Sequence, residues 1–463
     1  MTEDLSFKKD IFFPSYLGTN DKLITLLNRT SQILCEWFSK AEKNGPLSFD
    51  ENFKCIMPDE DGNSTEELFS DIKVLLNNSF NPVHPGSLAH LDPPPLIFSI
   101  LGDLIAAGLN NNLLAYELSP SVTMLEDSLC KWFAKKIGFN DSSGGIAASG
   151  GTLSNLNALI AARNNAGLGS NPNSVLLVSE DAHSSFIKCA RIMGLDESNL
   201  VRIQTDNEGR IDIQNLRKTL DICSIHNKKI IAIVATLGTT IRGAIDPINE
   251  ISEICKEKNI WLHIDGSIGG IFALTSFPTE GLKNINQANS ITINPQKIIG
   301  ITKTSSLLLV SNMTTLENTF ATGLPYISSK ENIINRGEIG IQGSRPAEVI
   351  KLWLGLRFLG MNGIDNILKS SIKRKDFFIK NICKNKFDIY SGPLHIVSFI
   401  PRGLKPKDSD AWTESKIIEL MKNNFMLSRP IFKGKYFLRV VMGNYNTNES
   451  HIEELLKLLN THQ

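Results

Sequence analysis

The chain has 463 residues, with 48 Lys plus Arg balanced by 48 Asp plus Glu. A length well above about 300 residues predicts two or three structural units, one of them large enough to hold a deep cleft. The balanced charge disfavours nucleic acid as a partner and favours small polar ligands. The seven cysteines are scattered and never in CxxC spacing, so neither a disulfide framework nor a metal site is indicated.

No apolar run approaches the roughly 20 residues that a membrane-spanning helix needs. The longest, residues 230–237, is far shorter. The N-terminal segment MTEDLSFKKDIFFPS also lacks the apolar stretch of a secretory signal. We therefore expect a cytoplasmic, soluble protein without a membrane segment.

Residues 1–80 have the pattern of a loosely ordered helical arm, in which the polar stretch MPDEDGNSTEE joins two helices. Apolar residues then recur at helical spacing over 96–109 and over 121–137. The segment NNNLLAYELSP separates these two predicted helices. We expect a first domain boundary near residue 80, with a larger unit over 81–365.

From about residue 145, short apolar runs alternate with helical segments, which is typical of an α/β domain built on a mostly parallel sheet. The runs are SVLLVS (174–179), NLVRIQ (199–204), KIIAIVAT (229–236), IWLHID (260–265), SITIN (290–294) and SSLLLV (305–310). Ligands should lie beyond the carboxyl ends of these strands. Residues 366–463, with LHIVSFI, KYFLRVVM and an amphipathic terminal helix, predict a smaller α+β domain.

A glycine turn leads from the first short strand into a strong helix at Ser149, Gly150, Gly151 and Thr152. Glycine lets the backbone approach a ligand closely, and the N–H groups at a helix start favour a phosphate. Glycine at a strand-to-helix turn also serves packing alone, so this stretch does not by itself separate the two interpretations.

Two further polar residues stand at strand ends. Asp265 ends a nearly continuous apolar strand, and a buried carboxylate there needs a cation or several donors. It could cap a helix or pair with the scaffold, or it could face a cationic ring nitrogen. His183 follows another strand, where it is either a satisfied structural residue or an imidazole that stacks on an aromatic ligand.

Lys297 projects from the turn after SITIN, at the sheet edge where Asp265 and His183 should lie. A lysine that loses water at the mouth of a cleft has a lowered pKa and can attack a carbonyl. Lys303 lies further on, at the start of the next strand, and is predicted to be a supporting or solvated charge. A phosphate anchor, a ring stacker, a partner for a pyridine nitrogen and an amine for an aldehyde are together what pyridoxal 5′-phosphate requires.

A nicotinamide-dependent dehydrogenase would also explain the glycine turn. The expected G-x-G-x-x-G, with an acidic residue about 20 positions on, is absent.

Over residues 80–460 the sequence resembles the group II pyridoxal-phosphate-dependent amino acid decarboxylases. The matching motifs are NPVHPGSLAHLDPPP, NNNLLAYELSPSVTMLE, ASGGTLSN, SEDAHSSFIKCA, VATLGTT, LHIDGSIGG, NPQK, IQGSR and YFLRVV. The resemblance implies the type I fold of pyridoxal-phosphate-dependent transferases, which is similar to aspartate aminotransferase. It also implies a homodimer with shared active sites and an N-terminal arm wrapped over the partner.

The resemblance also implies roles for single residues. Lys297 would bind the cofactor aldehyde, Asp265 would keep the pyridine nitrogen protonated, and His183 would stack on the ring. The phosphate would be bound by the Ser149–Thr152 turn, with Gly343 and Ser344 reaching it from the other subunit. Tyr326, in a loop over the site, is the candidate proton donor.

Arg439 would hold the α-carboxylate of the substrate, with His90, Asn111 and Asn112 forming a neutral polar pocket. Ser267 and Gln296, which flank the aspartate and the lysine, are further candidate cofactor contacts. The sequence departs from the family here, because a histidine usually precedes the lysine and small and aromatic residues usually stand at 267 and 268. His90 and Leu114 also replace a glutamine and a phenylalanine of glutamate decarboxylases.

The predicted reaction is decarboxylation of a small polar L-amino acid of the aspartate, glutamate, cysteine sulfinate or 2,4-diaminobutyrate class. Lys297 would exchange with the substrate amine through a Schiff base, and a quinonoid would follow loss of carbon dioxide. Other chemistry on the same cofactor, such as transamination or aldehyde-forming deamination, stays open. A pyridoxal-binding regulatory paralogue without turnover is a further alternative.

Overall fold

The computed structural model describes residues 14, 18–54, 56–58, 60, 62–275, 280–323 and 333–460. The helices in this part are α1 Asp21–Ser39, α2 Ala41–Asn44, α3 Thr65–Asn77, α4 Ile97–Leu109, α5 Pro120–Lys136, α6 Gly151–Asn165, α7 Ser185–Ile192, α8 Ile213–Ile225, α9 Ile248–Lys258, α10 Thr314–Phe320, α11 Val349–Asn381, α12 Pro406–Lys422 and α13 Glu449–Asn460. Among these described helices, none combines the length and the apolar character that crossing a bilayer requires.

The strands form one large and two small sheets. They are β1 Gly144–Ala148, β2 Ser174–Ser179, β3 Leu200–Ile203, β4 Lys229–Thr236, β5 Trp261–Gly266, β6 Ser290–Ile293, β7 Ser306–Val310, β8 Phe387–Ser391, β9 Ile396–Pro401, β10 Ile431–Phe432, β11 Lys435–Tyr436 and β12 Leu438–Val441. The large sheet has the order β1-β7-β6-β5-β4-β2-β3, and only β7 runs antiparallel to its neighbours.

The large sheet is buried on both faces, which is why its strands are apolar at successive positions. Its register brings the strand ends of the site together: Asp265 on β5 is opposite Thr292 on β6 and Thr236 on β4. The carboxyl ends of β4, β5 and β6 therefore meet at one edge. This confirms the predicted α/β fold class with a mostly parallel sheet.

Local signals in the sequence explain where several helices begin and end. Helix α3 starts with a capping box, in which Ser64 and Glu67 bond each other's backbone N–H. The Asp212 side chain caps α8 by accepting from a backbone N–H. Helix α9 ends at Asn259, whose φ of 51° is a left-handed conformation that asparagine tolerates.

The predicted strands of the large sheet agree with the structure to within one or two residues. The run KYFLRVVM, in contrast, is split between β11 and β12. The split follows from Phe437, whose N–H bonds the carbonyl of Pro430.

A smaller antiparallel sheet, β12-β9-β8, has its own apolar core and is joined to the large sheet by α11. This helix breaks at Gly360, where φ is 59°. The predicted domain limit at residue 365 lies inside α11, just beyond that break, and remains a prediction, as does the limit at residue 80.

Candidate active site

A narrow cleft opens at the carboxyl ends of β4 and β5 and contains three of the predicted groups. It is lined by His183, Thr236, Gly238, Thr239, Thr240, Asp265, Ser267, Ile268 and Lys297. The aspartate, the histidine and the lysine thus face one cavity. A wider cleft of about 740 Å³, lined by parts of 207–210, 242–250 and 389–393, contains none of these three.

Asp265 is buried at the end of β5. Its carboxylate accepts from the Ser267 backbone N–H (3.1 Å) and from Asn155 Nδ2 (3.3 Å). Burial alone would raise the pKa of this carboxyl. The positive charge of Lys297 and the hydrogen bond from Ser267 outweigh that effect and hold the pKa of Asp265 below its usual value. Asp265 is therefore kept ionised and places a negative charge at the end of β5.

Lys297 lies in a short 3₁₀ turn, Pro295–Lys297, directly after β6. Its amine is largely withdrawn from water, and this burial lowers its pKa although Asp265 acts in the opposite direction. An amine with a lowered pKa is neutral, and so nucleophilic, at a lower pH than an exposed lysine. Lys303, in contrast, is half-exposed and forms an ion pair with Asp92.

His183 follows the turn after β2, with its ring open to the cleft. Its Nδ1 accepts from the Ser185 backbone N–H (3.1 Å), so the neutral ring carries its proton on Nε2. Burial of the ring lowers the pKa of His183, although Asp265 raises it. A neutral, flat imidazole of fixed tautomer is suited to stacking on an aromatic ligand.

The glycine turn precedes α6 at the same edge. Gly150 has a φ of +100°, and open space surrounds the position of a Cβ there. A Cβ on Gly151 would meet Asn294 Nδ2 and Ser267 Oγ, each at 2.8 Å. Position 150 therefore favours glycine for its backbone conformation, and Gly151 lets the start of the helix lie close to the Asn294 and Ser267 side chains. The free N–H groups at the start of α6 can bind a phosphate.

The segment 342–344 reaches this turn from within the same chain. Ser149 Oγ donates to Gln342 Oε1 (3.1 Å), and Asn112 Nδ2 donates to Ser344 Oγ (3.1 Å). Gly343 lies between them. Within one chain, Gln342 thus contacts the turn and Ser344 contacts Asn112. The expectation that Gly343 and Ser344 reach the phosphate from the other subunit stays a prediction.

Asn111 and Asn112 do not line the cleft with Lys297 within one chain. Asn111 donates to the Leu109 carbonyl (3.0 Å), and Asn112 Oδ1 accepts from the Arg345 N–H (3.2 Å). Their side chains are engaged in shaping the turn after α4 and in holding the 344–345 segment. The sequence could not reveal this, because these partners of Asn112 are more than 200 residues away.

Arg439, on β12 of the small sheet, contacts Thr240, which lines the cleft. Its guanidinium donates to Ser428 Oγ (2.8 Å), the Thr240 carbonyl (2.7 Å) and the Ala89 carbonyl (3.1 Å). These bonds use three of about five N–H donors, so two remain for a ligand. Burial lowers the pKa of Arg439 to about 10, which leaves it cationic at neutral pH.

His90 is next to Ala89, which accepts from Arg439. Burial, followed by the charges of Arg439 and Lys303, lowers the pKa of His90 and keeps it neutral. Gln296 accepts from the Ser305 N–H and so supports the turn that carries Lys297. Tyr326 lies outside the described residues.

Two residues of the site are not among those predicted from the sequence. Thr236, at the end of β4, has a buried hydroxyl without a partner among the described residues, and it lines the cleft. The rule that found Asp265, a polar residue at a strand end, also applies to Thr236. Asn155, one turn into α6, bonds Asp265, and only its three-dimensional position reveals this role.

A buried cluster of charged side chains bonds the backbone of β1, the edge strand that leads into the glycine turn. Glu126 on α5 accepts from Arg345 Nη1 and Nη2 (both 3.0 Å), from Arg336 Nε (3.2 Å) and from the Ala147 N–H (3.3 Å). Arg336 also donates to the Gly145 carbonyl (3.2 Å). One carboxylate thus connects β1, which leads into the glycine turn, with the segment that follows 342–344.

The side chains that line the cleft fit pyridoxal 5′-phosphate. Lys297 can bind its aldehyde, Asp265 can face its pyridine nitrogen, and His183 can cover its ring. The unpartnered Thr236 hydroxyl supplies one more polar group inside the same cleft. A sheet of this order with these groups at its edge defines an enzyme that uses this cofactor.

Comparisons with known proteins identify the family within the enzymes that use this cofactor. The model of the pyridoxal-dependent decarboxylase conserved domain matches residues 51–399, and the chain belongs to this family of pyridoxal-phosphate-dependent amino acid decarboxylases. It is 30% identical over 416 residues to an aromatic-L-amino-acid decarboxylase of Bacillus atrophaeus, covering 86% of this chain and 85% of the relative.

An L-aspartate decarboxylase, dtxS4, of Metarhizium robertsii is 27% identical over 437 residues, with 90% and 87% covered. In fold, the chain is similar to an Oryza sativa TDC solved with PLP and tryptamine, with a TM-score of 0.89 at 18% identity, over 96% of this chain and 98% of that one. These comparisons confirm the expected family, enzyme class and cofactor. They leave the substrate open, because the relatives carry different substrate names.

Proposed function

We propose that this decarboxylase removes the α-carboxylate of a small polar L-amino acid, of the aspartate, glutamate, cysteine sulfinate or 2,4-diaminobutyrate class. The observation that carries the catalytic part is the single cleft that Lys297, Asp265 and His183 line together. The observation that favours a carboxylate-bearing substrate is the positive charge around the cleft, where Arg439 and Lys297 are close enough to influence each other.

Pyridoxal phosphate, when bound, supplies a cationic ring that accepts the electron pair left by the departing carboxylate. Lys297 provides the amine that holds the cofactor aldehyde. Asp265, ionised and buried, keeps a proton on the pyridine nitrogen through direct charge pairing. His183 covers one face of the ring, excludes water there and remains neutral.

Arg439 holds the α-carboxylate of the amino acid with its two remaining N–H donors. A guanidinium can bind a carboxylate in bidentate fashion, which fixes orientation as well as affinity. The three backbone and side-chain acceptors already bound to Arg439 keep the group in place before the substrate arrives. Orientation of this kind is a main source of rate enhancement in such enzymes.

The neutral His90 beside Arg439 favours a short polar side chain over an indole or a catechol. Lys303 also acts on His90, although Asp92 pairs with its charge. Within the proposed class, the positive charge of Arg439 and Lys297 favours the acidic members over 2,4-diaminobutyrate, whose side chain is cationic. Ile268 takes the position where an aromatic residue is expected, so this wall of the cleft is aliphatic.

We also propose that the protein is a homodimer. Helix α4 packs on α11 through one face, while its other face exposes a row of large apolar side chains. These are Ile97, Phe98, Leu101, Leu104, Ile105 and Leu109. A contiguous apolar strip of this kind is typical of an interface between subunits. Size-exclusion chromatography with light scattering tests this proposal, and a monomer at micromolar concentration would contradict it.

The substrate proposal is tested with the purified holoenzyme and a panel of amino acids. Aspartate, glutamate, cysteine sulfinate, 2,4-diaminobutyrate, tryptophan and tyrosine are incubated separately, and both carbon dioxide and amine products are quantified. We expect the highest kcat/KM for one of the first four. A preference for tryptophan or tyrosine would overturn the substrate class, aldehyde or keto acid in place of amine would indicate other chemistry, and no product with any amino acid would favour a regulatory protein.

A further inference from the structure

A chain of buried hydrogen bonds runs from Trp261 to Asp265 beneath the cleft. Trp261 Nε1 donates to Ser290 Oγ (2.8 Å), which bonds His263 Nδ1 (2.8 Å). His263 Nε2 bonds Asn155 Oδ1 (3.1 Å), and Asn155 Nδ2 donates to Asp265 Oδ2 (3.3 Å). All five side chains are buried, so water does not compete for these bonds.

The direction of this chain is set at its Asp265 end, and the donor-only indole at the other end is compatible with it. Because Ser290 Oγ accepts from Trp261, its own hydrogen is free to point at His263 Nδ1. The imidazole then carries its proton on Nε2 and donates to Asn155 Oδ1. That oxygen also accepts from Thr292 Oγ1 (2.7 Å), which fixes the orientation of the amide.

With its oxygen facing two donors, the Asn155 amide must turn both of its hydrogens to the other side. One goes to Asp265 Oδ2, and the other goes to Ser185 Oγ (3.3 Å), at the start of α7. Every donor and acceptor of this buried amide is therefore used. The end of the chain presents an N–H, which stabilises the carboxylate form of Asp265 and not the acid form.

The opposite direction is disfavoured at the Asp265 end. It would require Asn155 to turn its oxygen toward the ionised Asp265, so that two acceptors faced each other. Burial lowers the pKa of His263 to about 4, so the ring is neutral and cannot donate from both nitrogens at neutral pH.

We propose that Trp261, Ser290, His263 and Asn155 are positioning residues, which form a hydrogen-bond chain of one fixed direction that keeps Asp265 ionised for the cofactor. This inference rests on the proposed role of Asp265 as the partner of the pyridine nitrogen. The other titratable groups that act on the aspartate are Lys297 and His183 in the cleft, and the Cys189 thiol on α7. None of these three is altered by changes at Trp261.

Trp261→Phe removes the first donor and keeps an aromatic ring in the same space. The measurement is the affinity of the purified apoprotein for pyridoxal 5′-phosphate, titrated by absorbance at intervals between about pH 3 and pH 8, a range that reaches below the ordinary pKa of an aspartate. We expect about three- to tenfold weaker binding at neutral pH, which corresponds to the loss of about one hydrogen bond. We also expect the acid limb of the affinity profile to move to higher pH, because Asp265 becomes easier to protonate.

Trp412→Phe, at a partly buried tryptophan that packs against the core of the small sheet, is the control and should leave the profile unchanged. A second pair of variants acts on the same chain without touching the tryptophan. Thr292→Val removes the hydroxyl that orients Asn155 and should move the acid limb in the same direction, whereas Thr292→Ser keeps the hydroxyl and should restore it. A purely structural role would lower stability in both Thr292 variants without separating their pH profiles.

Asp265→Asn distinguishes a failure of this inference from a failure of the proposed function. If Asp265→Asn binds the cofactor with wild-type affinity, the aspartate does not face the pyridine nitrogen and the proposed site is wrong. If Asp265→Asn weakens binding but Trp261→Phe and Thr292→Val leave the acid limb in place, the site stands and the directed chain is refuted.

Discussion

The sharpest test of the fold around the site is Glu126→Gln. The carboxylate of Glu126 is fully buried and accepts four hydrogen bonds, three of them from Arg336 and Arg345, which are themselves almost entirely buried. Replacing it with a neutral amide removes the paired carboxylate of Arg345 and leaves Arg336 with Asp127 alone, at 3.6 Å, in a site closed to water. Breaking a buried ion pair by removing one partner costs about 3–5 kcal/mol, and we expect a loss of that size in the free energy of unfolding at neutral pH.

The pH dependence of this loss follows from the ionisation of Glu126. Burial acts to raise the pKa of the carboxyl, but the charges of Arg345 and Arg336 outweigh it and set the folded pKa below the usual 4.5. A carboxyl with a lowered folded pKa contributes its full stabilisation above its unfolded pKa, and the contribution is lost as pH falls through the folded value. The wild type and Glu126→Gln should therefore differ most at neutral pH and converge in acid below the folded pKa.

Urea unfolding, followed by circular dichroism at several pH values between about pH 3 and pH 7, measures this difference. Glu66→Gln is the matched control, because Glu66 also pairs with an arginine, Arg29, but at the exposed surface. It should leave the unfolding midpoint near that of the wild type. A loss below about 1 kcal/mol for Glu126→Gln at neutral pH, or a loss that stays constant into acid, would refute the reasoning.

Three shorter predictions concern the cleft itself. Lys297→Ala should lose both the absorbance of bound cofactor and decarboxylation, while Lys303→Ala, whose amine pairs with Asp92, should keep both; the reverse result would mean that the two lysines are misassigned. Arg439→Lys should reduce kcat/KM by about 10- to 100-fold through a higher KM, because an ammonium cannot replace a bidentate guanidinium, and steady-state kinetics with an unchanged KM would contradict this. Gly150→Ala should weaken cofactor binding, because alanine is strained at a φ of +100°, and equilibrium dialysis of pyridoxal phosphate that gives wild-type affinity would argue against a phosphate at this turn.

The sequence predicts the framework well, because the runs SVLLVS and KIIAIVAT are mostly apolar where they are buried and are bounded by turns. It also predicts the groups at strand ends, since the ends of parallel strands meet wherever the strands pair. It does not reveal partners that are distant in the chain. Asn155 bonds Asp265 across 110 residues and Glu126 bonds Arg345 across 219, so only folding brings these pairs together.

The interpretation of Asn111 and Asn112 was limited for the same reason. An asparagine pair before a polar turn is compatible with a ligand pocket or with a turn that holds another segment. The structure shows hydrogen bonds of the second kind within the chain, between Asn112 and both Ser344 and Arg345. Hydrogen-bond partners supplied from so far along the chain have no local signature in the sequence.

Arg439 belongs to the small sheet, whereas Lys297, Asp265 and His183 all belong to the large one. The two sheets are nevertheless joined away from the cleft, because Ile396 and Val441 of the small sheet pack in the same apolar core as the large sheet. In the proposed function, the group that selects the amino acid and the groups that retain the vitamin-derived ring would thus be held in register by one shared core.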